Sequence, residues 1–294
     1  MPKPVTIEDY DAAHTDACEQ VLVTLLRGMG PWKESVFLVG GLTPRYLVKD
    51  RPPKVPAHAG TTDVDVVVDL KVLIDTEAYR TLEENLHSMG FVRGTNNKGE
   101  KISWRWQVKA DNGSVMLLEL LVDDPKMGNR VGPLPTEGNV SAVNIPHSSI
   151  VMDMHDAVEV SAPLLGDNGI ARETVRHANL VSFTCLKALA LEQRNERKDA
   201  HDLVYCLRYA HADLADTAAK FRDTLSGKHA EVVRRALEIL SVRFASDDHA
   251  EGHTKDGPVA AAKFELGDNR ETREARALIQ RDASALIERL LALI

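Results

Sequence analysis

The segment Asp63-Val64-Asp65-Val66-Val67-Val68-Asp69 constrains this chain more than any other. Its valine content reads as a β-strand. Alternation along a strand places Asp63 and Asp65 on one side and Val64 and Val66 on the other. One side is suited to a core, while the other carries two carboxylates about 6–7 Å apart at their Cα atoms. In a low-dielectric site such acids repel, and a divalent cation relieves the repulsion; on a solvated strand face, water does the same.

Around this strand, hydrophobic pattern and chain breakers divide the 294 residues near position 150. Before it the reading is a helix over 11–27, a strand over 36–39 and a short helix to about Val48, with Thr43 as N-cap and Pro44 as its first residue. A strand follows over 63–69, then a helix over 77–89 stopped by Gly90. Strands over 102–108 and 115–122 are joined by the turn Asp111-Asn112-Gly113, and a loop over 125–146 holds a short strand near 141–145. From Arg172 onward helices are expected over 172–194, 196–210, 213–225, 229–245 and 270–293, with a polar surface loop at 246–257. The expected class is α+β, with a small mixed sheet over 1–150 and an all-helical half over 151–294.

Apolar residues at 44% and charged residues at 27% are ordinary globular values and argue against disorder. No uncharged apolar run reaches about 18 residues. Glu8 and Asp9 stand where a signal peptide needs apolar sequence, so a cytoplasmic chain without membrane contact is expected. Cys18, Cys185 and Cys206 are far apart and odd in number, which favours neither zinc nor disulfides. A net charge of −8 requires any nucleic-acid substrate to be held by a local basic surface, for which Arg93, Lys98, Lys101, Arg105 and Lys109 are candidates.

Two further pieces carry chemistry. Gly40-Gly41 lies between a strand and a helix start, where backbone without Cβ atoms can approach a phosphate; a tight turn would use the same residues. Glu119 sits in the apolar run Val115–Val122, which places it at a metal, at a cation or on an exposed edge.

The ordered set Gly40-Gly41, Asp63-x-Asp65 and a strand with Glu119 resembles the polymerase-beta-type nucleotidyltransferase fold. In the second half, Leu186-Lys187-Ala188-Leu189-Ala190-Leu191, Arg194, Lys198-Asp199 and Ala200-His201-Asp202-Leu203-Val204 are similar to the helical motif of AbiEii-type and MenT-type nucleotidyltransferase toxins. The resemblance spans about residues 36–207. On one uninterrupted helix Lys187, Arg194, Lys198 and Asp202 would fall within about 80° of arc; a solvated face with a Lys198–Asp202 pair is the plainer alternative.

The resemblance implies a nucleotidyltransferase domain followed by a helical domain that completes the active site. It implies two Mg2+ ions held by Asp63, Asp65 and Glu119, and an NTP triphosphate held by Gly40, Gly41, Thr43, Lys187, Arg194 and Lys198, with Asp202 orienting Lys187 or the acceptor. The implied reaction is transfer of NMP to an acceptor hydroxyl, tRNA first among acceptors, by a toxin paired with a cognate antitoxin. Transfer to a protein or small molecule, and a catalytically weak NTP-sensing regulator, are the alternatives. One departure concerns the loop: many members place Ser directly after the glycine pair, whereas here Leu42 intervenes and Thr43 is the first hydroxyl. Trp104 and Trp106 are expected on one strand face, to stack a base or to anchor the helical half.

Overall fold

A computed structural model of the chain describes residues 5–75, 81–95, 98–127, 130–135, 138–194 and 196–294. The chain forms two compact units. A sheet unit comprises Ala12–Tyr46 and Gly60–Asn179, and a helical unit comprises Met1–Asp11, Leu47–Ala59 and Leu180–Ile294. The change from sheet to helix falls at Asn179–Leu180 rather than near residue 150.

The strands are β1 (Val36–Val39), β2 (Asp63–Val68), β3 (Val92–Thr95), β4 (Lys101–Lys109), β5 (Val115–Val122), β6 (Val131–Pro133), β7 (Ser141–Asn144), β8 (His155–Pro163) and β9 (Ile170–Ala178). They form one mixed sheet in the order β3-β4-β5-β2-β1-β9-β8, with β7 beside β5 and β6 beside β7. Strand β2 is parallel to β5 and antiparallel to β1, and β4 is antiparallel to β5. The unit's helices are α1 (Ala12–Met29), α2 (Pro44–Leu47), α3 (Leu70–Asp75), α4 (Leu82–Ser88) and α5 (Ile150–Asp153).

Helix α1 covers one sheet face because its helical period brings Val21, Leu22 and Leu25 to the same side as the even-numbered residues of the strands, Val64, Val66, Leu118 and Leu120. All seven are buried in one core. Helix α4 starts at a capping box, in which Thr81 Oγ1 accepts from the Glu84 N–H and the Glu84 carboxylate accepts from the Thr81 N–H. The helix expected over 77–89 is this element; residues 77–80 lie outside the described residues.

The expected helix over 172–194 is a correction. Residues Ile170–Ala178 form β9, paired antiparallel with β8, and helix begins only at Leu180. The strand is hidden in the sequence because its buried side alternates Ala171, Glu173, Val175 and His177, so two of the four inward positions are polar. Glu173 is accommodated by Arg27 and Lys33, at 2.9 and 3.0 Å. The sheet therefore runs past residue 150, and the half after it is not all-helical.

The helical unit contains α6 (Leu180–Gln193), α7 (Arg197–Tyr209), α8 (Leu214–Leu225), α9 (Ala230–Phe244), α10 (Asp256–Leu266) and α11 (Arg273–Leu293). Helix α6 is apolar around most of its circumference and packs against α7 and α9, while α10 packs on α7 and α11. Helix α10 has no counterpart in the sequence reading, and the loop expected over 246–257 ends at its first residues. Among the described residues no helix is long and apolar enough to cross a membrane. All three cysteines are buried free thiols.

Candidate active site

Register builds the acidic site of the sheet unit. Arg105 of β4 pairs with Glu119 of β5, Glu119 pairs with Asp65 of β2, and Asp65 pairs with Val39 of β1. Residues directly opposite in a sheet project to the same face, so Arg105, Glu119 and Asp65 stand in one row. Asp63, two residues before Asp65, shares that face. The structure thus gathers the three expected acids onto one face of two adjacent strands, away from the core beneath Val64 and Val66. In β2 only Asp63 and Asp65 are half-buried; every other residue of the strand is buried.

The chain leaving β1 enters this row through Gly40. Its φ is +70°, and a Cβ built there would lie 2.1 Å from Asp65 Oδ2, so the backbone passes directly against the carboxylate. Gly41 follows in the turn Gly40–Leu42, which continues into α2. Thr43 does not form the expected N-cap. Its backbone is already helical (φ −56°, ψ −39°) and its N–H donates to the Gly40 carbonyl at 3.3 Å. Its side chain is fully buried and its hydroxyl has no hydrogen-bond partner among the described residues, which leaves any phosphate contact at this loop to the backbone.

Thr61, which the sequence reading did not single out, donates its hydroxyl to Asp63 Oδ1 at 2.7 Å. The Thr61 N–H in turn donates to Thr15 Oγ1 of α1 at 3.2 Å. The sequence signal was a hydroxyl residue two positions before an aspartate at a strand start. Cys18, below the strand, has its thiol pushed up first by burial and further by the charges of Asp63 and Asp65.

Of the three settings open to Glu119, the structure shows a cation. Arg105 donates to Glu119 Oε1 from Nε at 2.8 Å, and its Nη2 lies 2.5 Å from the same oxygen. The Arg105 stem crosses Gly94, where a Cβ would lie 3.2 Å from Arg105 Cγ, and its guanidinium carbon is 4.6 Å from the Trp104 ring centroid. Trp106 is buried in the sheet unit's own core, edge-on to His87 of α4. Of the basic candidates, Arg93 is bonded to Glu83 and Arg105 to Glu119, while Lys101 and Lys109 are exposed.

The helical unit holds the second group. Helix α6 ends at Gln193 and α7 begins at Arg197, close to the expected boundary between two helices, and the packing of α7 on α6 gathers Lys187, Arg194, Lys198 and Asp202 into a paired network rather than along the face of one helix. Lys187 Nζ donates to Asp199 Oδ1 at 2.8 Å and Asp202 Oδ2 at 2.7 Å. Arg194 donates to both oxygens of Asp199, and Lys198 to both oxygens of Asp202. Burial pulls the Lys187 ammonium down, but Asp199 and Asp202 more than reverse this and leave it above the ordinary lysine range. Burial likewise opposes ionisation of Asp202, yet Lys187, Lys198 and His58 hold it well below the usual carboxylate range. Asp199 had appeared in the sequence only as part of the motif; here it is a full partner.

His58 lies 2.9 Å, through Nε2, from Asp202 Oδ1. A carboxylate only accepts, so Nε2 carries the proton. His58, His201 and Asp202 each bring a ligand atom to within 4.8 Å of the others. The 143-residue gap between His58 and His201 conceals this in the sequence. Two carboxylates there already face three fixed cations, Lys187, Arg194 and Lys198, so a further divalent cation is electrostatically disfavoured.

The acidic row suits magnesium better. Its donors are hard carboxylate oxygens, and Mg2+ takes one or two protein carboxylates while completing its shell with water and phosphate. The missing Cβ at Gly40 lets the Asp65 carboxylate lie directly against the loop backbone. Glu119 is turned to Arg105 and would join the donors on release from it. No family model and no curated protein matches this chain.

Proposed function

We propose that this chain is a magnesium-dependent nucleotidyltransferase that moves a nucleoside monophosphate from an NTP to an acceptor hydroxyl. The α-phosphorus gains a bond to the acceptor oxygen and loses its bond to pyrophosphate, and the acceptor proton passes to solvent. The observation that carries this reading is the row Glu119–Asp65 with Gly40 pressed against Asp65, because it sets the acids beside a backbone loop that has no Cβ at that point.

Asp63 and Asp65 would hold the cations, with Thr61 fixing the Asp63 carboxylate. Magnesium there would supply a lowered pKa at the acceptor hydroxyl and charge neutralisation on the leaving pyrophosphate. Gly40 and Gly41 let phosphate oxygens approach the main chain. The helical unit's Lys187, Arg194 and Lys198, which the resemblance assigns to triphosphate, are paired with Asp199 and Asp202. The toxin role, the tRNA acceptor and the cognate antitoxin rest on the resemblance of the motifs.

The test is to incubate the protein with each α-labelled NTP, magnesium and total RNA. Label in the tRNA fraction, lost on chelation, is the expected result. Label on protein or on small acceptors keeps the reaction class and replaces the acceptor; no transfer to any fraction with any NTP overturns the proposal.

A further inference from the structure

We infer that Arg105 is a phosphate-binding residue of this site that guards Glu119 when no cation is present. The inference rests on the nucleotidyltransferase reading and goes beyond it. Arg105 stands in the same row as Glu119 and Asp65, on the same face, one strand further out. Among the described residues it is the cation bonded to Glu119, through Oε1. Neither partner is sealed away: side-chain exposure is 31% for Arg105 and 20% for Glu119. Gly94 leaves open the space that the arginine stem crosses, and Trp104 offers its ring to the guanidinium. The guanidinium is therefore supported by the strand and the indole independently of Glu119.

Without a cation, three acids on one face would repel, and Arg105 offsets the outermost of them. A cation drawn to Glu119 competes with Arg105 for Oε1. The guanidinium, displaced but still attached to β4, then faces the anion that arrives with the cation. Its planar fork matches a phosphate oxyanion in two parallel hydrogen bonds. That phosphate belongs either to the NTP or to the backbone of a nucleic-acid acceptor.

Two consequences have opposite signs, which a merely structural arginine would not produce. In Arg105→Gln, Mg2+ added alone should bind several-fold more tightly, because its competitor for Glu119 is gone. The same variant should bind ATP, or bulk tRNA, about tenfold more weakly in the presence of Mg2+. The arm that weakens identifies the phosphate's source. Arg105→Lys, which keeps the charge without the fork, should recover the metal competition and only part of the phosphate affinity. Trp104 supplies a readout independent of turnover: Mg2+ titrated into the wild-type protein should change its emission saturably, and the change should vanish in Trp104→Phe and in Arg105→Gln.

Calorimetry in parallel separates the two ideas. If Mg2+ binds and binding is lost in Asp65→Asn, but Trp104 emission stays flat and Arg105→Gln leaves both affinities unchanged or weakens both, the inference about Arg105 is wrong and the reading of the site stands. If Mg2+ does not bind the wild-type protein even with ATP present, the reading itself falls and the inference with it.

Discussion

Lys187 stands with its ammonium between two carboxylates that are themselves almost wholly buried, at 2% and 0% exposure for Asp199 and Asp202. Removing one member of such a group leaves charge uncompensated in a low dielectric, which costs about 3–5 kcal/mol. Arg194 and Lys198 remain on the acids, so Lys187→Ala should fall at the lower end, about 3 kcal/mol, read as a lowered melting temperature. An unchanged melting temperature with lost NTP affinity would instead make Lys187 a triphosphate ligand held in place by substrate. The neighbouring imidazole gives a pH signature. Burial holds His58 down to about 4 against the ordinary 6.5, with Asp202 opposing. Its folded pKa is the lower one, so the unfolded chain takes the proton first. Stability present above pH 6.5 is therefore lost as pH falls from 6.5 towards 4. His58→Gln keeps a donor for Asp202 and removes the titration, so thermal melts across that window should lose most of their slope. An undiminished slope would place the acid sensitivity elsewhere.

Among the elements, the turn after β1 decides whether the acidic row works. Gly40→Ala would put a methyl group 2.1 Å from Asp65 Oδ2 at a backbone φ of +70°. The positive φ alone costs about 1–2 kcal/mol for a residue with a Cβ. The variant should melt lower and bind Mg2+ more weakly, since Asp65 must move to admit the methyl; unimpaired metal binding would remove Gly40 from the site. This turn, β1, β2 and the β4–β5 hairpin were legible in the sequence because valine runs, a glycine pair and Asp111-Asn112-Gly113 are local signals. Helices α7, α8 and α9 fell within a residue of expectation for the same reason, their apolar periodicity being local. Strand β9 was not legible, because inward Glu173 and His177 are matched by Arg27 and Lys33 and by the Tyr46 ring, partners that only the fold supplies. Nor was the pairing of Glu119 with Arg105, which follows from a strand register and not from any spacing of the two residues.

At the scale of the whole chain, the sequence gives a mixed part and a helical part but not their membership. The helical unit draws on Leu47–Ala59 as well as Leu180–Ile294, and His58 reaches Asp202 only through that interleaving. Charge sets a further condition. With a net charge of −8, long-range attraction does not favour RNA, and two of the basic residues around the central hairpin are already neutralised by Glu83 and Glu119. An RNA acceptor must therefore be held by few local contacts and by the site itself, which puts the weight of the account on the acids of β2. The most direct test is the rate of label transfer from NTP in Asp65→Asn beside the wild-type protein. Replacing one of two repelling carboxylates leaves the fold intact, and losing a charge that holds the reaction's cation lowers turnover by about 10²–10³-fold or more. The account predicts that loss at an unchanged melting temperature; equal rates in the two proteins would contradict it.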